Sequence, residues 1–249
     1  EIQACDWSSD VCSSDLRAED EPELALRVNG EAVGAIGCWA APRGVLVVHY
    51  STDYVFDGAG TRPYRESDVV APLGSYGRSK LAGERALAAS AADFLNFRTA
   101  WVYGARGHNF LRTMLRLARE RDRLTVVHDQ RGAPTSARLI ASATAAALAR
   151  WSGWNEARRR AALGTHHLVA AGECSWYDFA AAIVTAAAPA KLIERVPEVA
   201  AITTADFPTK AKRPAWSVLD AGRFRATFEL DLPRWEMGLC DVIGELASA

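Results

Sequence analysis

The stretch GVLVVHYST, residues 44–52, restricts the fold of this chain more than any other. A glycine opens it, apolar residues follow one another without alternating with polar ones, and small polar residues close it. A strand wetted on one face alternates; one that does not is covered on both faces, as in a parallel sheet. Parallel strands need crossovers, usually helices. The sequence supplies them. SYGRSKLAGERALAAS reads as helix, FLNFRTAWVYG as strand, NFLRTMLRLARERD as helix, LTVVHD as a short strand and SARLIASATAAALARW as helix. THHLVA and SWYDFAAAIVTAAA add a further strand–helix pair, and EDEPELALRVNGEAVGAIGCWAA, upstream, has acids and Pro22 at its start and apolar residues at helical spacing. The alternation predicts an α/β fold, a doubly wound parallel sheet with helices on both faces. Beyond Ala190 prolines and irregular stretches become more frequent, which predicts a smaller second lobe.

Composition narrows the function classes. The 249 residues are 49% apolar and 24% charged with a net charge of −1, so charge makes no case for a nucleic-acid or anionic-membrane partner. The longest apolar run, FAAAIVTAAAPA, is too short to span a bilayer. The 5 cysteines include no C-x-x-C pair and the 5 histidines no H-E-x-x-H, which predicts a reducing compartment and no zinc site. Glu1–Leu16 reads differently from the rest. It repeats Ser-Ser-Asp at a period of five, without helical or strand pattern and without the features of a signal peptide. It is expected to be foreign sequence joined to the genuine chain near Arg17, or a disordered native tail.

Ligands of such sheets bind at the carboxyl ends of the strands. VVHYSTDYVFDG puts Ser51, Thr52, Asp53 and Tyr54 there, and FRTAWVYG puts Trp101 and Tyr103 there. Tyr76 and Lys80, four residues apart on a helix, share one face. A phenol ordinarily ionises near pH 10, too high for easy proton exchange at neutral pH; a nearby ammonium stabilises the phenolate. A threonine hydroxyl beside them can hold a substrate carbonyl. These parts suit the protonation of an oxygen while hydride reaches the adjoining carbon. Each residue also has an ordinary reading. An isolated Y-x-x-x-K is usually an exposed helix pair, Thr52 can simply end a strand, Asp53 can be a turn or cap residue, and Trp101 can be core.

VVHYSTDYVFDG, PLGSYGRSKLAGE, RTAWVYG, DQRGAPTSA and RPAWSVLD, in this order, resemble the extended short-chain dehydrogenase/reductases, and among them the dTDP-4-dehydrorhamnose reductase family. The resemblance runs from about Arg17 to the C-terminus. It implies a Rossmann-like fold and the reduction of dTDP-4-dehydro-L-rhamnose to dTDP-L-rhamnose with NADPH or NADH, in dTDP-rhamnose and hence cell-wall polysaccharide biosynthesis. It implies catalytic roles for Thr52, Tyr76 and Lys80: Tyr76 donates the proton, Lys80 tunes it and bonds the nicotinamide ribose, and Thr52 positions the substrate oxygen. Thr52, Asp53 and Trp101 would contact the dTDP-4-keto sugar, and Tyr50, Tyr76 and Lys80 the cofactor. Tyr54 and Gln130 lie near the site without an assigned role. A cytoplasmic location, a homodimer and, in some members, Mg²⁺ come with the resemblance. No carboxylate cluster for that metal is visible.

The chain departs from the family pattern at its start. The glycine-rich loop that carries the dinucleotide pyrophosphate between a first strand and helix has no counterpart. NGEAVGAIGCW holds Gly30, Gly34 and Gly37, but no strand precedes it, and its apolar residues run at helical period, so these glycines are expected to serve helix packing. The predicted organisation is therefore residues 1–16 non-native or disordered, 17–165 an incomplete NAD(P)-binding domain lacking its first βα elements, and 166–249 mainly a substrate lobe with some chain returning to the sheet. The chain as it stands is expected to bind NAD(P)H poorly and to be inactive. A reductase or epimerase for another nucleotide sugar, and a non-catalytic regulatory relative, are the competing readings.

Overall fold

The computed structural model describes residues 15–248. In chain order the elements are α1 (Asp15–Asp20), α2 (Pro22–Leu26), α3 (Ala32–Ala40), β1 (Val47–Thr52), α4 (Ser75–Ala89), β2 (Phe94–Thr99), β3 (Val102–Tyr103), α5 (Phe110–Glu120), β4 (Arg123–Val127), β5 (Arg131–Gly132), β6 (Thr135–Ser136), α6 (Ala137–Gly153), α7 (Glu156–Ala161), β7 (Gly164–His167), β8 (Cys174–Ser175), α8 (Trp176–Ala187), β9 (Glu198–Ile202), α9 (Gly222–Phe228) and α10 (Trp235–Ala247). Five π-helical residues, Arg27–Glu31, join α2 to α3. The expected foreign segment Glu1–Leu16 lies outside the described residues except for Asp15 and Leu16, which open α1.

Three strands form the parallel sheet, in the order β1-β2-β7. Val47 lies opposite Phe94, Thr52 opposite Thr99, and Leu95 opposite Gly164. β2 is central and its side chains Leu95 and Phe97 are fully buried, packed on Ile140 and Ala147 of α6 and on Phe224 and Phe228 of α9. β1 is the outer strand of this sheet among the described residues. Its uninterrupted apolar run predicted burial on both faces, and only its end fulfils that. Ser51 and Thr52 are buried, Val47, Val48 and His49 half-buried, and Tyr50 exposed.

The segment LTVVHD does form a strand, but not in that sheet. β4 pairs in parallel with β9, Val126 opposite Ala201. β9 comes from the stretch that read as irregular. Leu124 and Val126 of β4 join a second core with Met114 and Leu117 of α5, Phe179 and Ile183 of α8, and Leu239 and Val242 of α10.

α4 is seated by several independent contacts. Its Gly77 allows the helix to touch the chain after β1: a Cβ there would lie 2.2 Å from the Tyr54 carbonyl oxygen. On the other face, a Cβ at Gly83 would lie 2.0 Å from the Asn29 oxygen, and Cβ atoms at Gly34 and Gly37 of α3 would meet Ala86 at 3.0 Å and Ser90 Oγ at 2.4 Å. The NGEAVGAIG glycines thus pack α3 on α4, as their helical surroundings predicted. At the start of α4 the Glu19 carboxylate accepts hydrogen bonds from the Ser75 amide at 2.5 Å and hydroxyl at 2.9 Å, where the helix dipole favours an anion. Farther along, Glu84 of α4 and Arg98 of β2 form a buried two-pronged ion pair, with Arg98 Nε and Nη2 donating at 2.9 and 2.6 Å. Removing one member of such a pair costs about 3–5 kcal/mol, since the other charge is left buried alone.

Gly77→Ala tests this seating. The clash is with backbone, which yields less readily than a side chain, so the variant is expected to lose about 1–3 kcal/mol. Urea unfolding should show a lowered midpoint with an unchanged slope; an unchanged midpoint would mean that the helix can slide away at no cost.

Candidate active site

β1 ends in a tight turn. Thr52 caps the 3₁₀ turn Asp53–Val55: its Oγ1 accepts from the Tyr54 amide at 3.2 Å and donates to Asp53 Oδ1 at 3.0 Å. Asp53 is only 3% exposed. Burial pushes its carboxyl up to about 7, against the pull of the Ser217 and Thr52 hydroxyls. The ring of Tyr54 meets that of Tyr76 edge to face, 6.1 Å between centres. Burial pushes the Tyr54 phenol far above its usual range, so it stays protonated.

Tyr76 lies in the first turn of α4, and Lys80 one turn on. Lys80 Nζ donates to the Tyr50 carbonyl oxygen at 2.6 Å, tying the helix to β1. Tyr50 is 39% exposed, and its hydroxyl donates to Thr144 Oγ1 of α6 at 2.9 Å. Trp101 sits between β2 and β3 with a φ of 48°, a left-handed conformation unusual for a bulky residue. Its indole stacks on Trp176, 3.5 Å between centres and 4° between planes. Its other side presses on Gly132, where a Cβ would come within 2.4 Å of the indole.

These residues surround a cleft of about 360 Å³. Thr52, Asp53, Tyr76 and Trp101 all line it, with Tyr54 beside them. Lys80 of α4 and Tyr50 of the outer strand do not; they are bonded to each other. Gln130 lies away from the cleft, donating to Thr204 Oγ1 at 3.1 Å and lining a neighbouring apolar cavity. Sequence reasoning missed several cleft residues, of which four bear most on its chemistry. Thr99 is the register partner of Thr52. Trp176 follows the capping serine of α8. Arg213 and Asp15 form an ion pair at 2.7 Å on the cleft wall. Arg213 opens the segment RPAWSVLD, which carried the family resemblance, so that signal was present; Asp15 lay in the segment set aside as foreign. Phe110, Trp176 and Arg213 also border the apolar cavity, so cleft and cavity adjoin.

Among the described residues no three or more His, Cys, Asp or Glu side chains gather to hold a metal. The Mg²⁺ suggested by the resemblance has no donor set there. No helix among those residues is long and apolar enough to cross a membrane.

The arrangement has counterparts. The sequence profile described as "RmlD substrate binding domain" matches residues 14–248. A dTDP-4-dehydrorhamnose reductase of Salmonella typhimurium is 44% identical over 236 residues, 92% of this chain and 75% of that protein. The chain belongs to the dTDP-4-dehydrorhamnose reductase family. A Burkholderia thailandensis member is 48% identical over 231 residues, 90% of this chain and 76% of its own length. Two crystal structures from the family superpose with TM-scores of 0.83. The Clostridium acetobutylicum protein is 35% identical and aligns over 94% of this chain and 78% of its own. The Bacillus anthracis protein, crystallised in complex with NADP, is 32% identical and aligns over 94% and 77%. The chain thus spans about three-quarters of the length of these relatives.

The raised Asp53 carboxyl has a measurable consequence. Folded, it releases its proton near pH 7; unfolded, near the ordinary carboxylate value of 3.8. Its proton is therefore held more tightly in the folded state, and the associated stability is full below about pH 4 and lost as pH rises to about 7. Asp53→Asn should flatten this dependence. Measured from pH 4 to 8, the melting temperature of the variant relative to the parent should rise with pH, and parallel curves would show that Asp53 titrates normally.

Proposed function

We propose that the cleft reduces dTDP-4-dehydro-L-rhamnose to dTDP-L-rhamnose, an oxidoreductase step of dTDP-rhamnose biosynthesis. The observation that carries this reading is the meeting of Tyr76 with Thr52, Asp53 and Trp101 around one cleft, while Lys80 pins the same helix turn to β1. A reduced nicotinamide nucleotide, bound, supplies the hydride that C4 of the sugar accepts. Tyr76 gives its phenolic proton to the C4 oxygen, so the ketone becomes a hydroxyl. The Lys80 ammonium, one helical turn away, stabilises the phenolate left behind. The Trp101–Trp176 pair provides a flat apolar wall that excludes water, and the Arg213 guanidinium provides a cation for the diphosphate.

The chain's own residues fit the nicotinamide half of such a nucleotide. Lys80 of α4 donates to the carbonyl oxygen of the exposed Tyr50 on the outer strand, one helical turn from Tyr76. The NADP in the Bacillus anthracis relative makes NADPH the cofactor we assign. Gly30, Gly34 and Gly37 face α4 or its own neighbourhood and are not open to a pyrophosphate. Turnover is best measured in a chain extended at its N-terminus by a strand, glycine loop and helix, the elements that carry a dinucleotide pyrophosphate.

In that extended chain Tyr76→Phe is expected to lower kcat by about 10²-fold or more, the scale of a lost general acid, with little change in melting temperature. Turnover near that of the parent would remove Tyr76 from the mechanism. Lys80→Met should weaken NADPH binding and move the pH–rate profile; an unshifted profile with unchanged cofactor affinity would make Lys80 a surface residue. A panel of nucleotide 4-keto sugars identifies the substrate, and preference for a sugar other than the dTDP-linked one would overturn the assignment.

A further inference from the structure

The floor of the cleft carries two hydroxyls from neighbouring strands. Thr52 and Thr99 are register partners in the parallel pair β1–β2. Their side chains therefore leave the same face of the sheet, about 5 Å apart. Both are buried and both line the cleft. They differ in what they bond. The Thr52 hydroxyl has one proton and donates it to Asp53 Oδ1, while its oxygen accepts from the Tyr54 amide. Thr99 is 8% exposed, and its Oγ1 has no hydrogen-bond partner among the described residues.

A buried hydroxyl without a partner is costly, and persists where a ligand or water completes it. Asp53 Oδ2 is in the same condition, buried without a partner among the described residues. The floor thus presents an uncommitted hydroxyl and an uncommitted carboxyl oxygen from adjoining strand ends. A ring bearing neighbouring hydroxyl or carbonyl oxygens, as a hexose does, meets both. An apolar ligand does not.

We propose that Thr99 contacts the substrate and helps to select it: its hydroxyl donates a hydrogen bond to an oxygen of the hexose of a nucleotide sugar in the cleft. Thr99 thus adds an uncommitted hydroxyl beside that of Thr52. The inference rests on the function proposed above and concerns the sugar, not the nucleotide.

The test uses the chain as it exists and needs no cofactor. Calorimetric titration with dTDP-L-rhamnose and, separately, with dTDP divides the sugar contribution from the nucleotide contribution. The parent should bind dTDP-L-rhamnose more tightly than dTDP. Thr99→Val, nearly isosteric and suited to a strand, should bind dTDP-L-rhamnose about fivefold more weakly, the size of one neutral hydrogen bond, with dTDP affinity unchanged. Thr99→Ser should recover most of the loss. Should the valine variant fold poorly, Thr99→Ala takes its place with the same expectation. Undiminished sugar affinity in the valine or alanine variant would overturn the proposal and leave water as the hydroxyl's partner. Equal losses for both ligands without rescue by serine would also overturn it, making Thr99 purely structural. A parent that binds neither ligand, or does not distinguish them, would overturn the proposed function itself and this inference with it.

Discussion

The geometry of the cleft depends on how closely α4 lies against the end of β1. Two features of different physical kind hold it there. Gly77 lets the helix backbone approach the Tyr54 carbonyl to a distance that any side chain would block. The Arg98–Glu84 pair then locks the helix to the middle strand, in a place where neither charge can find water. Tyr76 sits beside Gly77, so its ring position follows from backbone contact instead of from its own rotamer alone. Lys80 adds a third tie, to the Tyr50 carbonyl. A helix fixed at this many points loses little conformational freedom when a ligand arrives, which is the basis of a preorganised site.

The strand–helix alternation and the short motifs were legible in the sequence because local rules govern them. A period of 3.6 marks a helix, and a turn of small polar residues marks a strand end. The NGEAVGAIG glycines were legible for the same reason, since helical apolar spacing continues through them. What was not legible depends on distant pairing. Nothing local in EVAAI announces that it pairs with β4, and nothing in GVLVVHYST tells how much of it neighbouring elements cover. The cleft shows the same division. Thr52, Asp53, Tyr76 and Trp101 belong to contiguous motifs and were readable, whereas Thr99 enters only through register with Thr52 and Trp176 only through its stack on Trp101. Arg213 was within a readable motif but had no local feature to distinguish it from the surface arginines.

Distinct hydrophobic clusters support the cleft from different sides. Leu95 and Phe97, with the aromatics of α9, support the sheet that bears the Tyr76–Lys80 helix. Phe110, Phe179 and their neighbours support the opposite wall, where Trp101 and Trp176 stack. A third cluster, with Val55 and Phe56 from the turn after β1 and Leu81 of α4, also packs on Trp101 and so couples the wall to the helix that carries Tyr76.

Trp101 holds its place against its own backbone. At a φ of 48° a glycine would be at ease, whereas a bulky side chain costs about 1–3 kcal/mol. The stack on Trp176 and the contact with Gly132 offset that strain. Replacement by glycine would relax the backbone but lose the stack and open the cleft, so backbone ease and cleft shape are opposed at this position. The wall of the cleft is therefore held by packing that works against the local backbone.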